Sequence, residues 1–367
     1  MSDGEVYMNL LIDILPISLA IVFLFGSHLC RPFSAINEDY LSLETTKYYR
    51  GLFALIIVFH HLSKITTTGH IFRFFALIGS LAVSVFFFFS GYGLQKSYIK
   101  KGESYRKGFL LKRIPGILIP YIVFIFIYWA AYTVSGTAYT FKDVLKTLVN
   151  GHPIVTYSWF IICIIIFYVF FWLFMMICGK HYKGMVICGC LWYILWALFC
   201  IKIHYDAYWY RSCHLLIVGI LWATYEEKIT RFIAKYYYII APVVVLCFVT
   251  LFKFQGKIIS LLPAGYASKI LPLFITTAFV CCVILFSMKV KIGNRILGLL
   301  GGISLELYLV HGLIIKIIQQ TAIQNEFVFC AAVIALSVTL ACIFHLVFSF
   351  VLKKYNSMLL HFGSKTM

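Results

Sequence analysis

Charge is what this sequence has least of, and acidic charge least of all: 12% of its 367 residues are charged, and only 13 are Asp or Glu. A soluble globular domain carries about 25%. Because 62% of the residues are apolar, too little polar sequence remains to cover a soluble fold, and that class is excluded. There is no Pro- or Ser-rich linker, no low-complexity tract and no loop long enough to fold alone, so the chain reads as one domain. No repeat divides it into the paired halves of many transporters. CxxC and Cys/His zinc spacings are both missing, so no metal site is predicted. The twelve cysteines lie mostly in or beside apolar stretches, with Cys281 and Cys282 adjacent. They read as small polarizable packing residues rather than a disulfide framework.

What is present is a set of long apolar runs. Each membrane crossing needs about 17–25 mostly apolar residues, and eleven such runs can be placed: 10–26, 51–69, 74–94, 114–134, 157–178, 184–201, 211–225, 236–252, 270–288, 297–317 and 326–352. The predicted fold is therefore an all-α polytopic membrane bundle of about eleven transmembrane helices. The first run lacks the basic flank of a signal peptide, since Asp3 and Glu5 precede it. The net charge of +18 would point to nucleic acid in a soluble protein. Here the basic residues punctuate apolar runs, and topology accounts for them without a nucleic-acid partner. With the amino terminus outside, the loops assigned to the cytoplasm carry 21 of the 31 Lys and Arg residues. That asymmetry predicts a multi-pass cell-membrane protein with a cytoplasmic carboxyl terminus.

In such a chain the informative residues are polar ones at membrane depth, where they are costly and usually face a cavity or a partner. Arg50 and His61 lie eleven residues apart in the second run, about 16 Å along a helix and within about 20° of one face. A neutral imidazole in an apolar setting is a candidate general base; an interfacial anchor with a structural histidine is the plainer reading. His60 points about 100° away from His61. The third run closes on Ser90-Gly91-Tyr92-Gly93, where glycines allow a bend or a close helix approach. Seven cations follow within eighteen residues, ending at Lys112 and Arg113, suited either to anionic headgroups or to a phosphate-bearing substrate. In the tenth run Ser304, Tyr308 and His311 form a stripe at i, i+4 and i+7, and Glu306 lies on another face. Tyr157-Ser158-Trp159-Phe160 opens the fifth run, where Trp and Tyr commonly belong to the interfacial belt.

In this order the clusters resemble membrane acyltransferase family 3, the acyl-CoA-dependent O-acyltransferases of bacterial surface and exported glycans. Arg50 and His61 match the family's Arg, ten intervening residues and His. Ser90-Gly91-Tyr92 matches its Ser-Gly-aromatic turn, and Lys112-Arg113-Ile114-Pro115 matches the end of its basic loop. Tyr157-Ser158-Trp159-Phe160 matches its Trp-Phe opening, and Ile303, Ser304, Tyr308, Leu309 and His311 match its late Ile-Ser-x-x-x-Tyr-Leu-x-His signature. One departure concerns the family's Arg-x-x-Arg. Leu110 and Gly116 flank Arg113 at three positions, so Lys112 is left to supply the second cation.

The resemblance implies a ten-helix core over 47–352, an extra amino-terminal helix and linker over 1–46 and a short tail over 353–367. It implies acyl transfer, as an O-acetyltransferase, from cytoplasmic acyl-CoA, with acetyl-CoA foremost, to a glycan or lipid-linked sugar. His61 would be the base or acyl carrier. Arg50, Glu306 and His311 would assist it, with Glu306 or His311 orienting His61. Lys112, Arg113, Ser90, Gly91, Tyr92, Trp159, Ser304 and Tyr308 would meet the substrates. No permanently bound cofactor is expected, and association with further copies of the chain stays open. The rival reading is a transporter or flippase in which His61, Glu306 and His311 form a proton or substrate path.

Overall fold

Nearly every apolar run is helical in the computed structural model, which describes residues 3–30, 36–261, 265 and 267–363. The first half of the chain forms α1 (Asp3–Leu24), α2 (Leu43–Leu62), the short α3 (Ile71–Phe74) and α4 (Gly79–Lys101). Two single-turn helices, α5 (Glu103–Lys107) and α6 (Phe109–Arg113), then lead to α7 (Pro115–Val134), α8 (Phe141–Val149) and α9 (Trp159–Cys178). The second half forms α10 (Tyr182–Lys202), α11 (Tyr208–Arg211), α12 (His214–Leu261), α13 (Ala267–Lys289), α14 (Arg295–Gly302), α15 (Ser304–Gln319) and α16 (Glu326–Gly363). The sole sheet among the described residues pairs β1 (His28–Leu29) antiparallel with β2 (Val290–Lys291).

The result is an all-α membrane bundle. Among the described residues six helical stretches are long and apolar enough to cross a membrane, and eight if two bent pairs each count once: α3 with α4, bent by 58°, and α14 with α15, bent by 75°. The sequence predicts eleven, and the differences have physical causes. α2 carries Glu44, Lys47, Arg50, His60 and His61, which spoil its apolar run because it faces other helices rather than lipid. The runs 211–225 and 236–252 fall in one helical stretch, α12, in which kinked backbone at Tyr225 and Tyr236 joins separate helices. The segment between them holds no Gly or Pro to end a helix. The run expected at 74–94 extends from Gly79 to Lys101, straight through Ser90-Gly91-Tyr92.

That continuity has a packing reason. A Cβ on Gly91 would lie against the carbonyl of Leu216, and one on Gly219 against the carbonyl of Phe88 and the amide of Tyr92. Two bare glycines thus let the backbones of α4 and α12 touch, the close approach that small residues permit. Gly51 and Gly301 do the same where α2 crosses α14. α2 is thereby enclosed by α4, α14 and α15, and Tyr49, Phe53, Ile57 and Val58 are buried. Leu191, Leu195 and Leu198 on α10 and Val243 and Leu246 on α12 are exposed, the outward apolar surface that lipid covers.

The segment after His61 is pinned from both ends of the chain. The buried carboxylate of Asp13 on α1 accepts the amides of His70 (2.9 Å) and Phe72 (2.8 Å). Glu326, opening α16, accepts the amides and hydroxyls of both Thr67 and Thr68. The Asn294 amide further ties α1 down by donating to the carbonyls of Val22 and Phe25. Asp13→Ala orphans two backbone donors and should lower unfolding stability by about 1–3 kcal/mol, while Asp13→Asn, which keeps an acceptor oxygen, should lower it less. Equal thermal midpoints in detergent for all three proteins would show that α1 is merely appended.

Candidate functional site

At the carboxyl end of α2 two histidines meet different surroundings. His60 donates its Nδ1–H to the carbonyl of Phe75 at 3.0 Å, and its ring fills the space beside Gly79. The carbonyl can only accept, so the proton is assigned to Nδ1. His61 has no hydrogen bond within the protein among the described residues. It is held by ring contacts instead. The ring of Tyr157 lies parallel to it with centroids 3.5 Å apart and planes 17° apart, and His311 stacks at 5.3 Å.

Tyr157 is placed by an unusual backbone. Its φ of 69° lies in the left-handed region that non-glycine residues seldom occupy, and such strain concentrates at functional sites. The turn it makes lets Ser158 donate to Val155 and starts α9 at Trp159. The carbonyl of Tyr157 accepts a short hydrogen bond from the hydroxyl of Tyr308. His311, one turn further along α15 and fully buried, donates Nδ1–H to the carbonyl of Leu307 at 3.1 Å. Its Nε2 is a buried acceptor without a partner. His61 thus has one face on a phenol ring, an imidazole beside it and free ring nitrogens.

These groups border a cavity of about 790 Å³, within the range of about 300–1,000 Å³ typical of ligand sites. His61, Tyr157, Trp159 and Tyr308 form part of its wall, and His60, Lys64, Arg211 and Lys316 are also on it. Helix α8 stands at the cavity edge through Thr147. A reciprocal Thr140–Asp143 cap starts that helix, and the Thr140 hydroxyl and amide hold the Asp143 carboxyl below its ordinary pKa. A more open hollow on α16 is lined, among the described residues, by Ser349, Leu352, Lys353, Asn356 and Ser357.

The other expected residues divide into two groups. Arg50 is half-buried three turns back along α2, its Nε buried and unpartnered, beside Tyr168 of α9. Tyr168 also neighbours Ser90 and Arg113, and the Arg113 guanidinium sits over the Tyr105 ring at 5.6 Å. Arg50, Ser90 and Arg113 therefore gather at the end of the bundle opposite the cavity, with Lys112 exposed nearby on α6. Gly91 serves the helix crossing, and the Tyr92 hydroxyl donates to Glu226 at 2.7 Å. Ser304 donates to the Gly301 carbonyl at the bend between α14 and α15.

Glu306 does not meet His61. It lies about 140° around α15 from His311, and its carboxylate pairs with His345 of α16 at 3.1 Å, leaving Oε2 buried without a partner. Of the two residues expected to orient His61, only His311 is beside it. In sequence Tyr157 reads as an interfacial residue, and Lys64, Arg211 and Lys316 belong to none of the motifs. The available signal was Lys316, a cation inside the run 297–317.

No curated protein and no solved structure matches the chain significantly. A family model does: the acyltransferase domain of family 3 matches residues 47–348. That stretch is most of the chain and takes in both the histidine cavity and the arginine cluster. The chain belongs to membrane acyltransferase family 3.

Proposed function

We propose that this acyltransferase moves an acyl group, acetyl foremost, from cytoplasmic acyl-CoA to a hydroxyl of a surface or exported polysaccharide or a lipid-linked sugar. The observation that carries the reading is His61. It is an imidazole with free ring nitrogens, stacked on Tyr157 at 3.5 Å, in the wall of a cavity of about 790 Å³. A base must be able to reach the proton it takes, and among the described residues no group competes for that nitrogen.

The chemistry follows from the arrangement. The sugar hydroxyl gives its proton to a His61 nitrogen as its oxygen attacks the thioester carbonyl. The C–S bond breaks, and the departing CoA thiolate takes the proton from the imidazolium. The imidazolium formed between those steps lies flat on the Tyr157 ring, where a cation–π interaction stabilises it by about 0.5–2 kcal/mol. The same free nitrogen would serve if His61 first took the acyl group itself; a labelled acyl-enzyme trapped without acceptor identifies that route.

At the far end, Arg50 and Arg113 suit the donor's phosphates, because guanidinium groups match them in charge and in geometry. The positive-inside asymmetry supports placing that end in the cytoplasm. The donor's thiol arm would then run along α2 toward His61, over the roughly 16 Å that eleven helical residues cover.

The test uses purified protein in sealed vesicles with radiolabelled acetyl-CoA and an oligosaccharide acceptor. Label should reach the acceptor as an ester, and only when acetyl-CoA is supplied on the face bearing Arg113. Absence of transfer to any of a panel of sugars would sink the reading. Transfer with the donor supplied on the opposite face would reverse the orientation.

A further inference from the structure

The cavity wall is unbalanced in charge. Lys64 comes from the segment after α2, Arg211 from the end of α11 and Lys316 from the last turn of α15, and all three line the same space. Asp206 is the single carboxylate there, and its ion-pair neighbour is His152 at 3.9 Å. Among the described residues none of the three cations has a carboxylate within salt-bridge distance. Glu326, close in sequence to Lys316, is engaged by Thr67 and Thr68.

Two of these cations are partly withdrawn from solvent and still have unused donors. Arg211 gives one Nη–H to the carbonyl of Ser268 at 3.2 Å, while its Nε is buried with no partner. Lys316 rests 4.6 Å above the Tyr132 ring and touches its hydroxyl. Holding two partly withdrawn cations, Arg211 and Lys316, on one concave wall with Lys64 at its exposed rim is unfavourable until an anion enters. Beside them Tyr132, Tyr157 and Trp159 add aromatic side chains to the wall, the residue type that packs against the C–H face of a pyranose. A neutral sugar would use the rings and leave the cations uncompensated; an acidic sugar uses both.

We infer that the acceptor is an acidic sugar, carrying a carboxylate or a phosphate, whose anionic group is held by Lys64, Arg211 and Lys316 while its hydroxyl faces His61. The inference rests on the reading of the cavity as the acceptor side of an acyltransferase.

Direct binding separates the two. The full chain in phosphatidylcholine nanodiscs is titrated, without acyl-CoA, with three probes: a neutral chitin tetrasaccharide, a hyaluronan tetrasaccharide and N-acetylglucosamine 1-phosphate. At least one acidic probe should bind on the order of ten- to a hundredfold more tightly than the neutral one, the usual range for a few charge-assisted contacts. The difference should shrink as salt rises. Lys64→Gln with Lys316→Gln should erase it while ring-driven binding of the chitin fragment persists. If that double variant is not monodisperse, Lys64→Gln alone, at the exposed rim, should narrow the difference. Whichever of the two acidic probes binds identifies the acid as carboxylate or phosphate. Equal binding of acidic and neutral probes, or a preference untouched by the substitutions, overturns the inference. So does loss of acidic-sugar binding in phosphatidylglycerol nanodiscs at matched ionic strength, which assigns the cations to lipid headgroups. Displacement of the bound sugar by free CoA likewise overturns it, because the cavity would then be the donor's. Acidic sugars that bind but are never acylated leave an anion-binding cavity but remove its role as the acceptor site together with the transferase reading. Neutral sugars acylated as readily as acidic ones keep the transferase reading and remove this inference.

Discussion

His61→Ala should lower the rate of acyl transfer by on the order of 10²–10⁴, the usual contribution of a positioned general base, while His60→Ala should lose far less at matched amounts of folded protein. Both side chains sit at the same end of α2 and both touch the cavity, so position along the helix does not separate them. Their partners do. The Nδ1–H of His60 is committed to the Phe75 carbonyl and its ring packs on Gly79, so alanine there removes a hydrogen bond and some packing, a loss of stability of about 1–2 kcal/mol. The nitrogens of His61 have no partner among the described residues, and its ring lies on Tyr157 beside His311. Alanine removes the acceptor for the proton and leaves the cavity intact. The check is kcat/KM for both variants together with their thermal midpoints. A dead His60→Ala beside a normally active His61→Ala would transfer the role to the wrong neighbour for this geometry and refute it.

Gly91→Leu should prevent correct packing of the bundle, whereas Gly93→Leu, two residues along the same helix, should be tolerated. A Cβ at position 91 meets the carbonyl oxygen, carbonyl carbon and Cα of Leu216. Those are backbone atoms of α12 and cannot rotate aside, so the two longest-packed helices must separate. A Cβ at 93 meets nothing within 4 Å. Overpacking usually costs about 1–3 kcal/mol; a clash with backbone belongs at or above that upper figure, and the loss is shared by Gly219 on the facing helix. The proteins are compared by the monodisperse fraction on gel filtration in detergent and by thermal midpoint. Similar behaviour of the two leucine variants would show that α4 and α12 do not cross as closely as described.

The sequence by itself determined the membrane class, because 62% apolar residues and 12% charged ones leave no soluble arrangement, whatever the packing. It also determined the family, since the spacings around Arg50, Ser90, Trp159 and His311 are local patterns along single helices. Helical phase told which way His61 and Glu306 point from their own axes, but not which neighbour stands there. Only the tertiary structure decided that Tyr157, 96 positions from His61, stacks on it, that Glu306 turns away to His345, and that Lys64, Arg211 and Lys316 converge on one cavity. Tyr157 was illegible because its position depends on a left-handed backbone turn that the surrounding packing imposes on an ordinary tyrosine. The count of spans was likewise beyond the sequence: apolar length marks where a helix is able to cross, while kinks at Tyr225 and Tyr236 and the 75° bend after α14 are set by what each helix packs against.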